Sequence, residues 1–236
     1  MTRKSLFLTL PLLFAAALVI VPGLSQELQK PHHQRRAFDE SRFPIADYSA
    51  EAPSDAQERA KRFEKGKKYD KSKWAVHPDA PSDTVVLLHS VDRTLPALPF
   101  DQSSAVVVGQ LMDARAYLSN DKSGVYSVFT VQVNEVLKNS TKTPITRGSA
   151  REVERDGGRV RFPNGRLHMY KIGGLDMPKT GLRYVLFLND GESGYQILTG
   201  YELKDGKVYP LDDIPKLRTY ENADELSFLS ELRTKS

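Results

Sequence analysis

The stretch that most constrains this chain is Ser104–Asn139, SSAVVVGQLMDARAYLSNDKSGVYSVFTVQVNEVLKN. It reads as two long β-strands around a polar turn. Ala105-Val106-Val107-Val108 is continuous and mostly β-branched. Branching at Cβ crowds a helix and suits a pleated, buried strand. Leu111, Met112, Ala114, Ala116 and Tyr117 carry the apolar character onward, and Ser119–Gly124 then gathers turn formers. The return strand alternates: Phe129, Val131 and Val133 fall on one face, with Tyr126, Thr130, Gln132 and Asn134 on the other. Gly109 interrupts the first strand, where it weakens pairing unless the backbone needs it. Either it marks a bulge that bends one strand into both halves of a small barrel, or it makes room for a large cross-strand neighbour.

Further strands are expected after this pair. Ile145 to Val153 is a weak, charged candidate with the character of an edge strand. Asp156-Gly157-Gly158 is expected as a hairpin turn into Arg159–Phe162, and Pro163-Asn164-Gly165 as another into Leu167–Ile172. Gly181–Leu188 is apolar on both faces and therefore central. Asn189-Asp190-Gly191 is expected to turn it back into Tyr195–Thr199, and Asp205-Gly206 to close a hairpin into Lys207–Tyr209. Asn222-Ala223-Asp224-Glu225 caps a final helix, with Leu226, Leu229 and Leu232 at three-residue spacing and Phe228 beside them.

Upstream the composition changes. Arg3 and Lys4 precede an apolar run from Leu6 to Val21, and Gly23 and Ser25 follow. These are the parts of a secretory signal cleaved after Ser25, while the length of the run also fits an uncleaved transmembrane helix. Residues 1–25 are therefore a signal peptide or membrane anchor, and the body of the protein is expected outside the cytoplasm. Residues 26–83 lack sustained periodicity and are broken by prolines, the composition of a flexible linker dispensable for folding. Within them Ser54–Gly66 predicts a short helix with Ser54 as N-cap, Gly66 as stop and a thin apolar stripe of Ala60 and Phe63. From Asp55 to Lys73 there are eight basic and four acidic residues, an excess of +4 that equals the formal charge of the whole chain. That excess fits either attraction to an anionic membrane or envelope surface or a solvated linker. Export argues against a nucleic-acid partner. A β domain is expected over 84–236, opening with a short strand at Thr84–Leu88.

Little in the sequence points to catalysis. The absence of cysteine excludes disulfides, thiolate metal sites and a cysteine nucleophile. No hydrolase elbow, zinc-protease motif, phosphate loop or dinucleotide fingerprint occurs. The five histidines, at 32, 33, 77, 89 and 168, have no ligand spacing, and Asp205, Asp212 and Asp213 match no calcium loop. No catalytic, cofactor or metal residue is assigned. Tyr184, Tyr195, Tyr201 and Tyr209 are singled out as a possible outer binding face, against the plainer reading that tyrosine simply packs well in strands.

The order of features over 104–234 resembles the netrin/metalloproteinase-inhibitor-like (NTR) version of the OB-fold barrel. The resembling phrases are the glycine-bent strand Ala105–Gln110, the return strand ending in Val133–Lys138, the Gly181–Leu186 strand with Tyr184, and the terminal helix. The resemblance implies a small barrel. It does not imply protease inhibition, because the inhibitors of that group depend on an N-terminal cysteine and disulfides, and this chain has neither. The expectation is a mainly β domain, a small antiparallel barrel or a sandwich with a C-terminal helix. Its expected function is that of an exported, non-catalytic binding or scaffold module of the cell envelope. The alternative is an extracytoplasmic hydrolase whose carboxylates meet only in the fold.

Overall fold

The computed structural model describes residues 39–72, 76, 94–191 and 194–235, together with the backbone of 85–88. The apolar segment expected as signal or anchor, and His32, His33, His77 and His89, lie outside the described residues. From Asp39 onward the chain forms one compact, mainly β unit. Among the described residues no helix is long and apolar enough to cross a membrane.

The two organising strands are β3 (Ala105–Leu118) and β4 (Val125–Lys138), paired antiparallel along nearly their whole length. β4 pairs onward with β5 (Ala150–Asp156), and β3 pairs with β8 (Arg183–Gly191). β8 pairs with β9 (Gly194–Lys204), which meets β5 in a short parallel contact at Val153↔Tyr195 and Glu154↔Gln196. The order β3-β4-β5-β9-β8 therefore closes on itself, and the fold is a barrel. Apolar side chains from every strand of the ring meet in one cluster, among them Leu111, Val131, Val153, Leu186 and Ile197, so the interior is filled. Both readings of Gly109 hold together. The β3–β4 register shifts between Val108 and Gly109, and a Cβ on Gly109 would lie 2.5 Å from Val131 Cγ1 and 2.7 Å from the Gln132 carbonyl oxygen.

Turn chemistry explains the ends of several strands. Asp205 and Gly206 both adopt positive φ, 52° and 71°, as a two-residue hairpin demands, and lead into β10 (Lys207–Pro210). β6 (Gly158–Arg161) and β7 (Leu167–Ile172) form the hairpin expected around Asn164-Gly165. By contrast Asp156-Gly157-Gly158 is not a hairpin, because β5 and β6 belong to different sheets. Gly157, at φ 100°, turns the corner where any Cβ would lie 2.6 Å from the Tyr170 carbonyl oxygen. The turn expected at 189–191 also moves, since β8 runs through to Gly191.

The outer face of β3, β8 and β9 is covered by α2 (Glu225–Thr234). Asp224 caps this helix by accepting a hydrogen bond from the Ser227 amide at 2.9 Å. The buried residues are Phe228, Leu229 and Leu232, packed on Val106, Val108 and Phe187. Leu226, expected on that face, is 75% exposed. Spacing i, i+1, i+4 from Phe228 meets the sheet, and the three-residue series drifts off it.

The clearest departure concerns the expected linker. Residues 39–72 are folded against the barrel. Phe43 is fully buried in the barrel cluster, next to a 3-10 turn at Glu40–Arg42. β1 (Ile45–Asp47) adds to β6 in parallel, and β2 (Val85–Leu88) adds to β7 in parallel. The expected linker thus supplies one edge of the second sheet, β1-β6-β7-β2, and the strand expected at Thr84–Leu88 supplies the other. The contacts made by 39–72 are short, isolated insertions, so no local period reveals them.

Candidate functional site

The helix within the upstream segment, α1 (Ala56–Lys67), is capped by Asp55, whose side chain accepts from the Glu58 amide at 2.7 Å. Its docking is polar. Phe63 is 51% exposed and Ala60 is exposed too, while the buried helix residues are Lys65 and Gly66. Lys65 Nζ reaches Glu152 at 2.8 Å and Glu154 at 2.9 Å, and Lys61 Nζ reaches Glu152 at 2.9 Å. Just past the helix the Tyr69 ring stacks on Tyr126 at 4.2 Å, and its hydroxyl donates to Glu154 at 3.0 Å. Burial opposes the charge on Lys65, but Glu152 and Glu154 together outweigh it and raise its pKa. Burial likewise works against the Glu152 carboxylate, and Lys65 and Lys61 more than offset it and hold its pKa low. β5 is therefore not an edge strand. Its charged residues face partners brought from 87 residues upstream.

Two further ion pairs lie in the interior. Arg42 Nη2 donates to Glu202 at 3.0 Å. Arg155 grips both oxygens of Asp212, at 2.7 and 2.8 Å, and Asp212 also accepts from Thr199 at 2.7 Å and from the Asp176 amide at 2.9 Å. Buried charges survive only when paired in this way. Asp212, considered for calcium by its type, is committed to Arg155. Among the described residues no group of three His, Asp or Glu side chains could hold a metal ion. Two carboxyls, Asp156 and Asp176, have pKa values raised chiefly by burial.

The tyrosine face does not form. Tyr184, Tyr195 and Tyr201 are 0%, 2% and 0% exposed, and only Tyr209 is partly accessible. Tyr184 and Tyr195 point into the barrel, whereas Tyr201 packs on the other side of the wall against Phe228 at 5.0 Å. Their hydroxyls are satisfied locally: Tyr184 accepts from the Lys179 amide at 2.9 Å, Tyr195 donates to the Thr143 carbonyl, and Tyr201 to that of Ala97. They are packing residues, as β propensity alone would have it. His168 is buried as well, its ring 4.8 Å from that of Phe162.

Among the described residues, hollows open to solvent beside each of the two α-helices. One, of about 290 Å³, lies between residues 46–53, α1 and the β3–β4 turn. Its cations are already engaged: Arg62 lies over the Tyr117 ring at 4.2 Å, Lys122 Nζ donates to the Tyr48 carbonyl at 2.9 Å, and Arg59 to that of Pro53 at 3.3 Å. The other, of about 400 Å³, lies beside α2 and is lined by Val108, Asn134, Glu135, Arg147, Arg183, Leu229 and Arg233. Register builds it. Glu135 on β4 sits opposite Val108, and Arg183 on β8 sits opposite Gln110, so the two flank the outer face of β3. The last turn of α2 adds Arg233, and the β4–β5 connection adds Arg147. Arg233 forks onto Glu135 with two bonds of 2.8 Å, which hold that carboxyl below its usual range. Arg183 Nη2 lies 3.1 Å from Glu225, and among the described residues Arg147 has no ion-pair partner. None of these four residues carries a motif, and their convergence from four elements leaves no sequence signal. No model of a known protein family matches this chain, and no characterised protein matches it either.

Proposed function

We propose that this chain is an exported, non-catalytic binding module of the cell envelope, built on an OB-type barrel and taking its ligand on the outer surface beside α2. The observation that carries this is the filled interior. A five-stranded ring packed with apolar side chains leaves a ligand no seat inside it, and the deepest ion pairs are spent on one another. Export is supported by Arg3, Lys4, the apolar run from Leu6 to Val21 and the Gly23-x-Ser25 pattern. The OB-type reading is supported by the glycine-bent first strand, the closed ring and the terminal helix. OB-type barrels bind on the face of their second and third strands and the adjoining loops. In this chain that face, β4–β5, carries α1, and the cations of the hollow beside α1 are engaged within the chain, which favours the arginine-lined hollow as the seat. The basic stretch from 59 to 73 supports an anionic envelope surface less strongly, since Lys61 and Lys65 are held by β5.

The rival hydrolase would use Asp156 and Asp176, because a carboxyl whose pKa is raised by burial is the natural candidate for a general acid. A panel of nitrophenyl esters, phosphates and glycosides tests it. The expected result is no turnover above buffer. Turnover that vanishes in Asp156→Asn or Asp176→Asn, with an unchanged melt, would overturn the proposal. Location is checked on spheroplasts of the native host with a C-terminal tag. External protease should remove the tag, and protection until detergent is added would contradict export.

A further inference from the structure

We infer that the hollow beside α2 binds an oxyanion group, phosphate or carboxylate, through Arg147, Arg183 and Arg233; this rests on reading the chain as a surface binding module. Arginine is suited to the task because its planar fork matches the spacing of two oxygens on one anionic centre. Three guanidinium groups face two carboxylates, Glu135 and Glu225, so the site keeps an excess of 3 − 2 = +1. Arg147 is the surplus cation, with no ion-pair partner among the described residues. The other two have not spent their donors. Arg233 gives Nε and Nη2 to Glu135, and Arg183 gives Nη2 to Glu225, while each guanidinium carries five N–H bonds.

The surroundings make those donors effective. Glu135 fixes the plane of Arg233, which lowers the entropy lost when a second anion arrives. Val108 and Leu229 form an apolar, buried floor, and a charge held over such a floor is screened less than one in open water. A hollow of about 400 Å³ is larger than one phosphate, so the anion can carry an organic body. A merely solvated arginine rim would share the charge but would give no saturable site.

The test uses the full chain with inorganic pyrophosphate as probe, followed by calorimetry and by backbone amide shifts at low salt. Saturable binding is expected, with shifts at Arg147, Arg183 and Arg233. Arg147→Ala, at an exposed position, should melt like the parent and bind about tenfold more weakly, a loss of about 1.4 kcal/mol. Glu135→Gln removes a competing negative charge while its amide oxygen can still accept from Arg233, and it should bind more tightly, which a purely structural role for Glu135 would not produce. A parallel arm uses phosphatidylcholine vesicles with and without phosphatidylglycerol. Binding of the anionic vesicles that depends on Arg147 identifies a lipid headgroup as the source, and binding of pyrophosphate alone identifies a soluble oxyanion. No saturation by either probe in the millimolar range, or equal affinity in Arg147→Ala, would overturn the inference. Those results with no turnover on the nitrophenyl panel would sink the oxyanion alone, whereas turnover lost in Asp156→Asn would sink the binding module beneath it.

Discussion

At the scale of single residues, the two faces of β4 are energetically distinct. Val131 lies inside the ring against Gly109, and Thr130 lies outside it opposite Glu152 and Asp113. Val131→Asp would bury an unpaired carboxylate and is expected to cost several kcal/mol, on the order of 3–5. Thr130→Asp places a charge beside two others on the wetter face and should cost about 1 kcal/mol. Urea melts of the two variants measure the difference, and near-equal costs would contradict a closed ring. Asp156 offers a pH test. Burial raises its folded-state pKa, so the folded chain binds its proton more tightly than the unfolded chain does. Stability contributed at this site therefore falls as pH rises from about the ordinary carboxyl value through the raised one. Asp156→Asn should remove that loss and gain on the parent as the pH rises above the ordinary carboxyl value. A constant difference across that range would show that Asp156 does not titrate as described.

Among the elements, α1 stands apart because no large apolar side chain of the helix is buried. Isolated helices of such length are marginal in water, so its docking carries its stability. Lys65 is the anchor, and Glu154, at 1% exposure, is the group that most needs it. Among the described residues, Glu154 without Lys65 keeps Lys68 at 3.6 Å and the Tyr69 hydroxyl at 3.0 Å, so the cost is expected below that of a buried charge left wholly unpaired, about 3–5 kcal/mol. Lys65→Ala should therefore raise amide exchange across 56–67 while the amides of β3 and β8 stay protected. Unchanged protection of α1 would mean that Tyr69 and the Asn120–Phe63 hydrogen bond hold it without the lysine. The same polar seat explains why β5 tolerates two glutamates, Glu152 and Glu154, in the wall of a barrel.

For the whole molecule, the upstream segment is part of the fold. A chain beginning at Asp83 would lose Phe43 from the barrel cluster, Tyr69 from Tyr126 and β1 from the second sheet. It would also take the Arg42 guanidinium away from the buried Glu202 carboxylate. Domain stabilities of about 5–15 kcal/mol leave little margin for such losses together. Residues 83–236 are expected to melt far below residues 39–236, or without a cooperative transition, by calorimetry. Equal melting temperatures would return 39–72 to the status of a linker.

What the sequence determined by itself is what short-range chemistry controls. A period of two over Tyr126–Asn134, turn residues at Asp205-Gly206 and the capping stretch Asn222–Glu225 are local signals, and each became the element it announced, with Asp224 as the residue that caps the helix. The buried centrality of Tyr184–Leu188 was legible for the same reason, because both faces of the run are apolar. Tertiary structure decided which charge meets which. Lys65 with Glu154, Arg42 with Glu202, and the four-element convergence on the hollow beside α2 depend on contacts between segments far apart in the chain. Composition registered the basic stretch as solvated, because a lysine that will be neutralised by a distant glutamate looks the same in sequence as one that stays in water. The tyrosines misled in the opposite direction: strand propensity placed them correctly in strands, but only the closing of the ring, for Tyr184 and Tyr195, and the docking of α2, for Tyr201, decided that three of the four would face protein and not solvent.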